Sequence, residues 1–201
     1  ALLRSLLEEL PGAPGASVVL IRGAPGMGKS SLLQLTAALA RRIGAGILKA
    51  RAFESERIRP FAVWNDALRR ALPDNATSRL LSSGERITRD QAFASLYDQL
   101  REHTSRHPVV ILFDDVQWCD ESSVSALHYV LRMNWRLPFL LVAAAREHEL
   151  RDNVPVLQSI RSLRHDNLLQ ELRLEPLSTG DLCTLIQRQN PGVDAARLSR
   201  Q

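Results

Sequence analysis

The chain has 201 residues, 45% apolar and 24% charged. These are ordinary globular values, enough for one sizeable α/β domain or for one domain and part of another, and they argue against disorder of the whole chain. A net charge of +4, with a pI near 9.7, is spread along the chain without a Lys/Arg-rich block. It permits nucleic-acid contact without arguing for it. No apolar run approaches the roughly 20 residues of a membrane span, so no membrane partner is expected. Cys119 and Cys183 lie far apart without a C-x-x-C partner, which counts against zinc or a disulfide framework and for a reducing, cytoplasmic compartment. The five histidines show no metal-ligand spacing.

In chain order, Leu2, Leu3, Leu6, Leu7 and Leu10 share one helical face over residues 2–10. The chain opens inside this apolar pattern, and the expectation is an N-terminally trimmed domain. A turn-rich PGAPG follows, then Val18 to Ile21, continuously apolar as in a parallel strand buried on both faces. Leu32, Leu35, Leu39 and Ile43 recur with helical spacing, and Gly44 and Gly46 end that helix. Residues 47–53 read as a second strand and 61–72 as a helix stopped by Pro73. The stretch PDNATSRLLSSGERI reads as a loop. Thr88 and Gln91 form a capping box that opens a helix with Phe93, Leu96, Tyr97 and Leu100 inward. VVILF at 109–113 is a buried strand that ends in Asp114 and Asp115. A helix spans about 121–133, and PFLLVAAA leads as a strand into Arg146. Residues 168–174 are a fifth strand, and Ser178 with Asp181 opens a last helix to about 189.

Strands separated by helices imply right-handed crossovers and a parallel sheet. Ligands bind such sheets beyond the carboxyl ends of the strands. Gly23 to Ser30, Asp114 with Asp115, and Arg146 each follow directly on a strand, so three polar clusters converge on one edge.

The segment Gly23-Ala24-Pro25-Gly26-Met27-Gly28-Lys29-Ser30, followed by Ser31, fits G-x-x-x-x-G-K-[ST] in full. Glycines let successive N–H groups curl around phosphate oxygens, and the next helix adds its free N-terminal N–H groups. Lys29 is placed to neutralise the β- and γ-phosphates, and the Ser30 hydroxyl to ligate Mg²⁺. A carboxylate near the metal and a second acceptor for the attacking water complete such a site; Asp114 suits the first role and Asp115 the second. Arg146 is placed to reach the γ-phosphate, with pairing to Glu147 or Glu149 as the plainer alternative. N-K-x-D is absent, which favours ATP over GTP. LSSGE at 81–85 resembles a transporter-ATPase signature but lies too close to the phosphate loop for that role. Asp120 reads as a helix N-cap, Trp118 as a packing residue, and Arg161 and Arg164 as a solvated face.

Five segments in order, GAPGMGKSSLL, PFAVWNDALRRAL, VVILFDDVQWCDESSVSALHYV, LLVAAAREHEL and LRLEPLSTGDLCTLI, resemble the ATPase module of the STAND class. This is the AAA-like branch of P-loop ATPases found in large bacterial LuxR-type regulators akin to the maltose regulator. The resemblance covers residues 2 to about 190. It implies a three-layer α/β/α fold on a five-stranded parallel sheet of order 5-1-4-3-2. It implies an ATPase core over residues 1–176 and the start of a helical lid over 177–201. It implies ATP/ADP with Mg²⁺, slow hydrolysis used as a switch, and self-association in the ATP state. Position carries Gly23 to Ser30 onto the phosphate loop (Walker A), Asp114 and Asp115 onto the acidic pair (Walker B), and Arg146 onto the first sensor. A G-R-E type segment that helps hold adenine in the family is not found before Ala1. DNA contact is implied through a separate domain that this chain does not contain.

The reading is therefore an ATP-binding switch module of a signal-transducing transcriptional regulator. The alternatives are an AAA-plus ATPase acting on nucleic acid, of origin-recognition or helicase-loader type, and the same module serving a kinase or cyclase or holding ATP as structural glue.

Overall fold

A computed structural model describes residues 2–13, 15–71, 88–133, 137–178 and 180–181. The loop read over 73–87, the last residue of the helix read over 61–72, and the body of the helix read to 189 lie outside these residues.

Five strands form one parallel sheet: β1 (Ser17–Gly23), β2 (Gly46–Arg51), β3 (Val109–Asp114), β4 (Phe139–Arg146) and β5 (Leu169–Arg173). The order is β2-β3-β4-β1-β5, which is the expected 5-1-4-3-2 read from the other edge. The register sets Gly23 beside Arg146 and Arg51 beside Asp114. Every strand therefore delivers its last residue to the same edge.

The helices are α1 (Leu2–Glu9), α2 (Lys29–Arg42), α3 (Ala62–Ala71), α4 (Arg89–Arg106), α5 (Glu121–Met133) and α6 (Val154–His165). Side chains alternate between the faces of a strand, and the core divides accordingly. Val19, Ile21, Val110, Leu112, Leu140 and Val142 pack with Leu3, Leu7, Leu33 and Ala37 of α1 and α2. Val18, Leu20, Ile111, Phe113, Leu141 and Ala143 pack with Trp64, Leu68, Leu96, Leu100, Val130 and Ile160 of α3 to α6. The central strands are buried on both faces, which is why they read as unbroken apolar runs.

Three readings are corrected. The helix α6 was not expected; Asn153 caps it, accepting from the Val156 N–H at 3.2 Å, with Pro155 in its first turn. In α2 the buried stripe is Leu33, Thr36, Ala37 and Ala40, and Leu35 is 54% exposed. The helix lies close over the sheet and needs small residues there, so Leu32 and Leu39 turn sideways, half-buried. The strand β2 stops at Arg51, two residues earlier than expected, and Phe53 is exposed.

The capping box of α4 is present. Thr88 accepts from the Gln91 N–H at 3.3 Å, and the Gln91 side chain accepts from the Thr88 N–H at 2.9 Å. Asp120 does more than cap α5. Its buried carboxylate accepts from Ser123 N–H at 2.8 Å, and also from Phe61 and Ala62 N–H at 2.9 and 3.2 Å. One side chain thus ties the starts of α3 and α5 together. Trp118 packs partly buried against the core, with the Arg57 guanidinium 6.0 Å above its ring. Arg164 binds Glu171 of β5 at 2.9 Å, so it is a tie between α6 and the sheet and not just part of a solvated face. No helix among the described residues is long and apolar enough to cross a membrane.

Candidate nucleotide site

The loop between β1 and α2 is shaped by its own backbone. Gly26 and Gly28 have φ of 80° and 83°, the left-handed region that penalises any side chain. Gly23 is held for a different reason: a Cβ there would meet the Leu174 carbonyl at 3.0 Å. From Gly28, α2 starts with its first N–H groups facing the loop. Lys29 is 7% exposed, and its ammonium donates to the Gly23 and Ala24 carbonyls at 2.9 and 2.7 Å. Burial, and then the charge of Arg146, push the ammonium below the usual lysine range.

At the end of β3 the two carboxylates differ. Asp114 accepts the Ser30 hydroxyl at 2.7 Å through one oxygen and the Asp115 N–H at 3.0 Å through the other. Asp115 has φ of 53°, an arrangement that costs a non-glycine residue about 1 kcal/mol and that Asp tolerates better than most. This left-handed turn swings its side chain away from that of Asp114, into a buried position 6% exposed.

Donors crowd the Asp115 carboxylate. Arg51 reaches Oδ2 through Nε at 2.9 Å and a terminal nitrogen at 2.6 Å. Gln117 donates to Oδ1 at 3.0 Å, and Arg146 Nε stands 3.3 Å from the same oxygen. Burial alone would raise the pKa of this group. The hydrogen bonds from Gln117 and Arg51 and the arginine charges outweigh it and hold the carboxyl below its usual range.

Gln117 is fully buried and links the cluster. It donates to Glu149 at 3.1 Å, and its carbonyl oxygen accepts the Arg146 backbone N–H at 3.1 Å. Arg146 in turn donates to Glu149 at 2.9 Å. Glu147, the other partner considered for Arg146, lies instead against Arg22 and Arg173 at 3.7 and 3.4 Å. Asn153 donates to the Gln117 and Cys119 backbone carbonyls, both at 2.9 Å, and fixes this turn from the start of α6.

A cleft of about 290 Å³ opens between the loop and this cluster, lined by Pro25, Gly26, Gly28, Lys29, Ser30, Ser31, Arg51, Asp115 and Arg146. Ala24 and Met27 belong to the same loop, and Asp114 joins it through Ser30. The structure thus brings together all the residues singled out at the sheet edge. Three residues were missed. Arg51 was hidden because the strand was read through to Phe53, which made it mid-strand. Gln117 lies inside the DDVQW string but drew no role. Glu149 was weighed only as a partner for Arg146. A separate cavity of about 60 Å³ lies under α5 and α6, lined almost wholly by carbon, and touches none of these charged groups.

Residues 1–142 match the family model described as the AAA ATPase domain. The chain belongs to this family. It is a nucleotide-binding ATPase domain on a P-loop NTPase-like α/β fold. No curated protein matches the chain in sequence. Among solved structures it is similar to a signal transduction ATPase with numerous domains (STAND) from Pyrococcus horikoshii that carries a tetratricopeptide repeat sensor. The TM-score is 0.51 at 15% identity, over 98% of this chain and 26% of that one. It is also similar to AMPPCP-bound DnaA from Aquifex aeolicus, with a TM-score of 0.55 at 15% identity, over 96% of this chain and 50% of that one. The chain therefore spans a quarter and a half of these two structures. At such identities the likeness is one of fold.

Proposed function

We propose that this domain is an ATP-dependent switch of a signal-transducing transcriptional regulator of the STAND class, LuxR type, located in the cytoplasm. In this reading residues 1–176 are the ATPase core and 177–201 begin a helical lid. Self-association follows the ATP state, and DNA contact belongs to a different domain.

The observation that supports the nucleotide site in this reading is the Ser30–Asp114 hydrogen bond at 2.7 Å beside a buried Lys29, and the regulator class rests on the resemblance of the five sequence segments. A hydroxyl and a carboxylate in contact, 84 residues apart, are a pair of hard oxygen donors of the kind Mg²⁺ takes. Next to them the loop from Gly23 to Ser31 offers backbone N–H groups and an ammonium to an anion. These residues fit a magnesium-bound phosphate chain.

Gly23, Ala24, Pro25, Gly26, Met27, Gly28, Lys29, Ser30 and Ser31 cradle the phosphates. Ser30 and Asp114 would hold Mg²⁺, which would offset the negative charge of the phosphates. Asp115 orients and accepts a proton from water, and Arg146 meets developing charge on the terminal phosphate. The bound nucleotide supplies the reactive phosphoanhydride. Asp115 is not a free base as it stands, because three side chains hold it. Slow turnover is the expected consequence, and slow turnover suits a switch.

Equilibrium titration with ATP and Mg²⁺ tests the site. Lys29→Ala weakens binding by about 100-fold or more, whereas Asp115→Asn retains binding and loses turnover. Unchanged affinity in Lys29→Ala would sink the assignment.

A further inference from the structure

Arg51 enters the reading above only as one of the three side chains that hold Asp115, yet its side chain lines the same cleft. It leaves the end of β2, an edge strand, while Arg146 leaves the end of β4 on the other side of β3. The two guanidinium groups close on opposite oxygens of the Asp115 carboxylate. They are held differently. The Arg146 side chain is 33% exposed and is also anchored by Glu149 at 2.9 Å. The Arg51 side chain is 53% exposed, and its other neighbour is the ring of the exposed Phe53 at 5.7 Å.

A guanidinium fork matches a phosphate as well as a carboxylate. Lys29, Arg51 and Arg146 face Asp114, Asp115 and Glu149, so the formal charges around the cleft balance at three against three. Each added phosphate group tips that balance toward negative. The cation best able to follow is the one held from a single side by a flexible, half-exposed stem.

We propose that Arg51 is the residue by which this domain tells a nucleoside triphosphate from a diphosphate. Its fork rests on Asp115 when the cleft holds no terminal phosphate and moves onto that phosphate when one is present. Arg51 is thereby a specificity-determining contact supplied by the domain itself, and its departure releases one side of Asp115. The inference rests on the proposed nucleotide site.

The test is calorimetric titration of the 201-residue protein, Arg51→Ala and Arg51→Lys with Mg²⁺ and either a non-hydrolysable ATP analogue or ADP. Loss of a charge-assisted contact predicts that Arg51→Ala binds the analogue about tenfold or more weakly and ADP within about twofold of wild type. Arg51→Lys keeps a charge without the fork and regains only part of the difference. It also keeps the assignment testable if the alanine variant unfolds. Equal loss for both nucleotides, or no loss for either, overturns the role of Arg51 and leaves the site standing. Wild-type protein that binds neither nucleotide overturns the site itself, and the role of Arg51 with it.

Discussion

The two walls of the cleft are built by different means. The phosphate loop is nine consecutive residues, Gly23 to Ser31, whose lysine is fastened to carbonyls five and six positions back. The facing wall gathers Arg51, Asp115, Gln117, Arg146, Glu149 and Asn153 from the end of β2, the turn after β3, the end of β4 and the turn that leads from it into α6, through side-chain hydrogen bonds. One wall is local backbone geometry. The other exists only while three strands keep their register. Apart from the terminal-phosphate contact proposed for Arg51, affinity for nucleotide should therefore follow the first wall, and turnover and stability the second.

Four substitutions can break that division. Lys29→Ala should have the largest effect on binding, weakening ATP affinity by about 100-fold or more, roughly 2.7 kcal/mol, while the melting temperature stays within a few degrees. Calorimetry and thermal unfolding on the same sample check it; a large drop in melting temperature would show that the loop is not self-contained. Asp120→Ala lies outside both walls and should cost about 2–4 kcal/mol of stability, because it strips the N-cap of α5 and leaves the Phe61 and Ala62 N–H groups unpaired. Urea unfolding measures the loss, and native-like ATP affinity in the folded fraction is the expected companion.

Gln117→Ala aims at the second wall. It removes the link that orients Asp115, Glu149 and the Arg146 backbone; the loss of that orientation outweighs the freeing of one Asp115 oxygen, and turnover should fall about tenfold with ATP affinity within about threefold of wild type. An equal fall in affinity would merge the two walls into one unit. The smallest effect is expected at Glu171→Gln, in β5 beyond either wall. The Arg164 hydrogen bonds, and then the Arg22 and Arg164 charges, hold the Glu171 carboxyl below its usual range. A lowered native pKa stabilises the fold fully above the ordinary glutamate value near 4.3, and that contribution fades as pH falls toward the native value. Melting temperature measured from pH 7 to pH 3 should fall less steeply in Glu171→Gln than in wild type.

The first wall was legible in the sequence because everything it needs is contiguous. Gly26 and Gly28 announce positive φ, Lys29 and Ser30 follow them, and the apolar run before them announces the strand. The end of β3 was legible for the same reason, as an unbroken apolar stretch closing in two carboxylates. Arg51 was not, because the alternation of buried Leu48 and Ala50 with exposed Lys49 and Arg51 runs on into the buried Ala52 and does not show where the strand ends. The exposed Phe53 invited an extension that the sheet does not make. The helix α6 was passed over although Asn153 and Pro155 mark its start, since its apolar positions Val156, Ile160 and Leu163 are interspersed with Arg161 and Arg164. Nothing in the local pattern says that Gln117 is buried; that follows from the fold of β4 and α6 around it.

The strand order bears on how the site comes into being. The strand β1, which presents the phosphate loop, has two neighbours in the sheet, β4 and β5, and their residues follow it by more than 115 positions. The strands β2 and β3, which come earlier in the chain than β4, pair with each other and leave β1 without a neighbour. During synthesis from the N-terminus, the loop sequence emerges early but has no sheet to stand on until residue 146 is free. Contacts of such long sequence separation form slowly. The capacity to hold a phosphate therefore appears late and all at once, which makes nucleotide binding a reporter of completed folding.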